Sequence, residues 1–195
     1  MNFYKPNGYD TAEVLPESGG RARLPKGGYV CKILTVQPME SRNGNPYLLF
    51  NLDIAEGEYM GHFADDYAAQ TGDKKWHFTH RLMIPTDNAK PFTLNLFKTF
   101  NKYVEESNPG WHFNFDGDEK QYRGQLIGVL VNEVEYERSN GKRAMKTNIA
   151  RIVKANTVRS GAYTVPNDVL LPPVAKNEAD YYTVDSVDDD DLPFN

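Results

Sequence analysis

The sequence predicts a mainly β protein: five strands and one helix forming a small barrel, followed by an acidic tail. Three observations lead there. Apolar and polar residues alternate in runs of strand length, the signature of strands with one buried face. The chain holds 12 Tyr and 10 Phe, residues that favour strands, with 15 Gly and 12 Pro to supply turns. A single stretch departs from this period and repeats at helical spacing instead.

Residues 1–24 are broken by Pro6, Gly8, Pro16, Gly19 and Gly20 and read as an irregular leader. GGYVCKILTVQ (27–37) is the first strand, β-branched and aromatic after a glycine pair. SRNGN (41–45) signals a turn, and PYLLFNLDI (46–54) returns as the second strand. There Leu48, Phe50, Leu52 and Ile54 share one face, which leaves Tyr47, Leu49 and Asn51 on the other. Residues 56–75 are polar and lack a sustained period, so they are expected to form an irregular insertion. WHFTHRLMI (76–84) alternates again, with Trp76, Phe78, His80, Leu82 and Ile84 inward and His77, Thr79 and Arg81 outward.

The period changes in PFTLNLFKTFNKYVEES (91–107). Phe92, Leu96, Phe100 and Tyr103 fall at helical spacing, joined by Phe97 and Val104, and Pro109-Gly110 ends the run. WHFNFDGDEKQY (111–122) reads as an aromatic loop. RGQLIGVLVNEVEYE (123–137) is a long strand whose Gly124 and Gly128 point to curvature or a bulge. SNGK (139–142) contains Asn-Gly, the strongest short hairpin signal, and RAMKTNIARIVKA (143–155) is the returning strand. Residues 161–174 are a candidate extension along the body. Residues 175–195 lack the apolar content to build a core and are expected to be disordered.

Three strands, a helix and two further strands is the order of an OB-fold, a partly open five-stranded Greek-key barrel. The rival is a β-sandwich carrying a helix. The expected OB domain spans residues 25–160.

The net charge of −5 hides a division. Residues 174–195 hold one cation (Lys176) against seven anions, a net −6, so the body before them is close to neutral. Within the body, residues 120–160 hold nine cations against Glu133, Glu135 and Glu137. A basic segment beside an acidic tail points to a polyanion for one and a protein partner for the other. The single Cys31 excludes an internal disulfide and fits a reducing compartment. Neither a signal-peptide pattern nor an apolar run of membrane-spanning length is present in the sequence, which predicts a cytoplasmic protein without a membrane partner.

Single-stranded nucleic acid needs cations along its phosphates and flat side chains under its bases. Tyr47, Asn51, His77 and Arg81 are expected on one outward face. Arg138, Lys142, Arg143 and Lys146 form a basic hairpin, and Trp111 lies in a loop that would border the groove. Each also has a plain structural reading: Tyr47 as the start of a strand, Trp111 as a plug for the barrel, the hairpin cations as a solvated edge. Stacking tolerates DNA and RNA alike.

Catalytic readings are weaker. His77 and His80 are three apart on a strand, which sends them to opposite faces and argues against a shared zinc. Asp53, Glu56, Asp65 and Asp66 would be the material for a nuclease metal cluster, but no companion Lys or His pattern accompanies them. No phosphate-cradling glycine loop occurs. The expectation is a non-enzymatic protein without a metal or other cofactor.

The tail then adds a resemblance. Asp188, Asp189, Asp190 and Asp191 followed by Leu192, Pro193 and Phe194 resemble the acidic tip of bacterial single-stranded DNA-binding proteins. GGYVCKI, YLLFNLDIAEGEYMGHF and the strand–SNGK–strand hairpin resemble the OB-fold single-stranded DNA-binding proteins of phages and mobile elements of Gram-positive bacteria, over roughly residues 25–160. The resemblance implies a protein that coats single strands in replication or recombination and recruits replication and recombination proteins through its tip. It further implies that Phe194 enters an apolar pocket on the partner, Pro193 restricts the backbone, and the aspartates meet a basic rim. Family tips usually end at Phe, whereas Asn195 follows here. The alternative reading is a protein-interaction adaptor with a DNA-mimicking tail. Self-association, with Tyr163–Val174 as a candidate surface, is compatible with either.

Overall fold

The structure, a computed structural model, describes residues 4–11 and 23–172. Its centre is one open five-stranded antiparallel sheet: β1 (Gly27–Glu40), β2 (Pro46–Ile54), β3 (Thr79–Met83), β4 (Leu126–Glu137) and β5 (Arg143–Val153), in the spatial order β3-β2-β1-β4-β5. Within it, β4-β1-β2-β3 is the Greek-key arrangement, in which a fourth strand returns by a long connection to lie beside the first. That long connection contains α2 (Pro91–Ser107). The barrel expected from the sequence is not closed, since β3 and β5 do not pair.

The two tight hairpins follow from local chemistry. In the β1–β2 turn the Ser41 N–H donates to the Asn45 carbonyl, the Asn45 N–H donates to the Ser41 hydroxyl, and Gly44 takes a positive φ of 74°. In the β4–β5 turn Gly141 takes the same φ, while the Asn140 carboxamide accepts from the Lys142 N–H. Gly124 and Gly128 do different work from the curvature expected of them. Gly124 precedes β4, in a turn with φ of 83°. Gly128 lies within the strand, where a Cβ would stand 2.5 Å from the Lys154 carbonyl oxygen. The β4–β5 register irregularity falls between Leu130 and Val131 instead.

The core lies between the inner sheet face and α2. Phe50 is its hub, 4.8 Å from the Phe100 ring and 5.3 Å from Tyr122. Ile33, Leu52, Ile127 and Val129 surround it, all buried. On α2 the buried face is Phe97, Phe100 and Val104, and Asn101 accepts the Tyr122 hydroxyl at 2.6 Å. Phe92 and Leu96, which share the helical period, are exposed. Asn108 joins the end of α2 to β4, exchanging bonds with both the carbonyl and the N–H of Leu126.

Three departures from the sequence reading matter. Leu24, assigned to the leader, is a buried core residue. The supposed insertion contains a helix, α1 (His62–Ala69), whose capping group is remote: Asp53 on β2 accepts from the N–H groups of Phe63 and Ala64. A third helix, α3 (Ala155–Arg159), follows β5. Beyond it, Tyr163 seats its hydroxyl on the Gly28 N–H, and residues 167–172 run along the outer edge of β4. There Val169 exchanges backbone bonds with Glu133 and Glu135, Asp168 pairs with Lys26 at 2.8 Å, and Arg143 donates to the carbonyls of Leu171 and Pro172. No helix among the described residues is long and apolar enough to cross a membrane.

Candidate nucleic-acid interface

The register sorts the outward residues of β1, β2 and β3 into three rungs. Met39, Tyr47 and Met83 form one, Gln37, Leu49 and Arg81 the next, and Thr35, Asn51 and Thr79 the third. Tyr47 and Asn51 are therefore on the outer face with Arg81, as their alternation predicts. Yet Tyr47 is only 6% exposed, because the Arg81 guanidinium lies over its ring at 4.6 Å from the centre. No carboxylate pairs with Arg81 among the described residues. The Thr35 hydroxyl on the third rung is the one buried side-chain polar atom there without a hydrogen-bond partner.

His77 stands just before β3, exposed, with Nδ1 3.1 Å from the Asp66 carboxylate of α1. His80 occupies the opposite face, stacked on Phe100. Burial lowers its pKa to about 4, so the ring is neutral near pH 7.

Trp111 takes its structural role. Its Nε1 donates to the Gln121 carbonyl at 3.0 Å, and its ring packs 5.6 Å from Tyr122 against the core. Its side chain is half-buried against the core, the contacts of the plain structural reading.

The basic hairpin is divided. Arg143 is committed to Glu135 at 3.3 Å and to the 171–172 carbonyls, on the side away from Lys146. These bonds clamp residues 171–172 against the hairpin. Lys146 lies over the Tyr136 ring at 5.6 Å, while Arg138 and Lys142 are exposed with no ion-pair partner among the described residues. Tyr136 escaped the sequence reading, although its place four residues before Asn-Gly and opposite a lysine-bearing strand was there to be read. Arg42, exposed in the β1–β2 turn beside the Tyr47 rung, escaped it too.

Several cations of the 120–160 segment are compensated. Lys154 pairs with Glu106, and Arg159 binds both oxygens of Glu56. These bonds hold the Glu56 and Glu106 carboxyls below their usual range. The four carboxylates considered for metal have other work: Asp53 caps α1, Glu56 holds Arg159, and Asp66 meets His77 and Gln70. Asp65 sits in the first turn of α1, and no metal-ligating group of three forms among the described residues.

The candidate residues thus form two cation-over-tyrosine sites. Arg81 on Tyr47 lies toward the C-terminal end of β1, and Lys146 on Tyr136 lies past its N-terminal end, where the β4–β5 hairpin projects. Asp188–Phe194 lie outside the described residues. In comparisons with known proteins, no family model and no curated protein matches this chain.

Proposed function

We propose that the protein binds single-stranded DNA without sequence preference, using the outer face of an OB-type sheet. The observation that carries this reading is the Arg81 guanidinium resting on Tyr47, with no carboxylate among the described residues to hold it there. A guanidinium so placed can swing onto a phosphate and leave the ring to a base. Stacking on such a ring is worth about 1–3 kcal/mol per base and tolerates any sequence. Lys146 over Tyr136 offers the same pairing at the far end of β1, so a strand crossing the sheet meets a flat ring and a cation at both ends. Arg42, Arg138 and Lys142 add phosphate contacts.

The tail completes the proposal. Leu192, Pro193 and Phe194, preceded by four aspartates, form a small apolar anchor with an acidic approach. Such a peptide loses chain entropy on binding and so makes exchangeable contacts, here with proteins of replication and recombination. Titration of labelled oligo-dT, with and without Mg²⁺, tests the reading. Tight, uncleaved binding that weakens with salt supports it. Absence of binding favours the adaptor, and shortened product favours a nuclease.

A further inference from the structure

The strands β3 and β5 are the ends of the sheet order, and α2 packs against both across the opening between them. A cavity of about 470 Å3 lies there, a volume typical of a small-molecule site. One wall is aromatic: the His80 and Phe100 rings stack 5.6 Å apart with their planes within 7° of parallel, and Tyr103 follows one turn along α2. Ile149 and Ile152 of β5 form the apolar wall opposite, and Phe92, 70% exposed, stands at the mouth. Polar groups interrupt this lining at a few points only. Arg81 of β3, the residue that covers Tyr47, and Arg151 of β5 border the opening from its two edges, and neither pairs with a carboxylate among the described residues. Thr93 and Thr99 of α2 add two hydroxyls, and no carboxylate lines the cavity. His80 brings a neutral imidazole whose nitrogens have no hydrogen-bond partner among the described residues.

These groups select among occupants. An alkyl chain suits the isoleucines but leaves the His80 nitrogens unmet once the cavity is covered, which burial makes costly. A flat heteroaromatic ring does better. It packs on the aromatic wall, and its edge carries donors and acceptors for a neutral imidazole, which both donates and accepts. The two unpaired arginines at the opening call for an anion attached to that ring. Guanidinium groups bind phosphate oxygens in a planar, forked geometry, and two of them suit a doubly charged terminal phosphate better than a single carboxylate. A linker bearing hydroxyl or ether oxygens, placed between ring and phosphate, falls beside Thr93 and Thr99. Ring, polar linker and terminal phosphate in that order are the base, sugar and phosphate of a nucleotide.

We propose that the opening between β3, α2 and β5 is a binding site for a free nucleoside monophosphate, with the base inside against His80 and Phe100 and the phosphate outside at Arg151 and Arg81. The site uses neither the Tyr47 nor the Tyr136 ring, and it stands whether or not a strand crosses the outer face. Arg81 is the one residue the two sites share. Turned to the bound phosphate, it leaves the Tyr47 ring uncovered.

Titration of the isotope-labelled full chain with dAMP, followed by amide shifts, tests the site. Saturable shifts are expected at residues 80–83, 92–103 and 149–152. Arg151→Gln, at an exposed position, is expected to weaken dAMP about tenfold, the loss of one charge-assisted contact, and to leave deoxyadenosine unchanged. Leu96→Glu, also exposed, sets a carboxylate at the mouth and should weaken dAMP to a similar degree. Ile149→Trp fills the cavity and should abolish binding of dAMP and deoxyadenosine alike, in a protein whose remaining spectrum is intact. Oligo-dT affinity measured alongside separates this site from the outer face: oligo-dT bound with dAMP inert overturns the site alone. Shifts reproduced in full by inorganic phosphate, shifts confined to the 138–146 hairpin, displacement of dAMP by decanoate but not by deoxyadenosine, or dAMP affinity unchanged by both Arg151→Gln and Leu96→Glu also overturns the proposal.

Discussion

The Arg81 guanidinium lies 4.6 Å from the centre of the Tyr47 ring and covers it. If this pair is a contact site for single strands, its two halves contribute differently. Arg81→Ala is expected to weaken oligo-dT binding and flatten the salt dependence by about 0.7 in slope, the loss of one phosphate contact. Tyr47→Leu keeps the apolar volume but removes the stacking face, at a cost of about 1–3 kcal/mol of affinity with the slope unchanged. Fluorescence titration over a salt series reads both. A Tyr47→Leu protein that binds as well as wild type would remove Tyr47 from the interface.

Trp111 separates stability from binding in the opposite sense. Trp111→Phe loses the bond to the Gln121 carbonyl and part of the packing on Tyr122. Thermal or urea unfolding should show a loss of about 1–2 kcal/mol. Oligo-dT affinity of the folded protein should not move.

Asp53 is a cap placed on another element. Asp53→Ala leaves the N–H groups of Phe63 and Ala64 unmet and removes a buried carboxylate from its three donors, the third being Ile54. A loss of about 2–3 kcal/mol follows. Hydrogen exchange should accelerate first in residues 62–69, since α1 has no side-chain cap of its own.

His80 gives the stability a pH dependence. Its folded pKa of about 4 lies below the ordinary value of 6.5, because burial disfavours the imidazolium. Between these values the unfolded chain binds the extra proton. Stability from this group is therefore complete above about pH 6.5 and falls as the pH drops toward 4, by about 1.4 kcal/mol per pH unit at most. His80→Phe, which keeps the ring on Phe100, should show a shallower decline over that window in denaturant unfolding. Equal slopes for the two proteins would contradict the assignment.

Gly128 is required by a close approach. Gly128→Ala would drive a methyl against the Lys154 backbone at 2.5 Å, where neither strand nor helix start has room to yield. A loss of about 1–3 kcal/mol is expected by chemical denaturation.

What the sequence carried was whatever depended on local period and turn chemistry. The bounds of β2 and α2 follow from alternation and from Pro91, and the Asn-Gly hairpin folds as written. What it did not carry depended on partners distant in the chain. Residues 56–75 lack a period because α1 buries only Phe63 and takes its cap from Asp53, so no periodic signal was there to find. Tyr47 alternates outward as expected, but its covering comes from a residue 34 positions later. Arg143 reads as a free cation until Glu135 and the 171–172 carbonyls are set beside it. Barrel closure, likewise, is a question of whether two distant edges meet, and element order does not decide it.

The run of residues 167–172 along β4 has a consequence for colloidal behaviour. The strand β4 extends past the point where β1 begins, and its exposed N–H and C=O groups there would offer a template for another chain. Val169 occupies that stretch, and the Lys26–Asp168 pair fastens it. The protein thus carries a selvedge, a woven border that keeps a sheet from growing sideways. Unpicking it, by Asp168→Lys for instance, is expected to convert a well-behaved solution into one that aggregates with time.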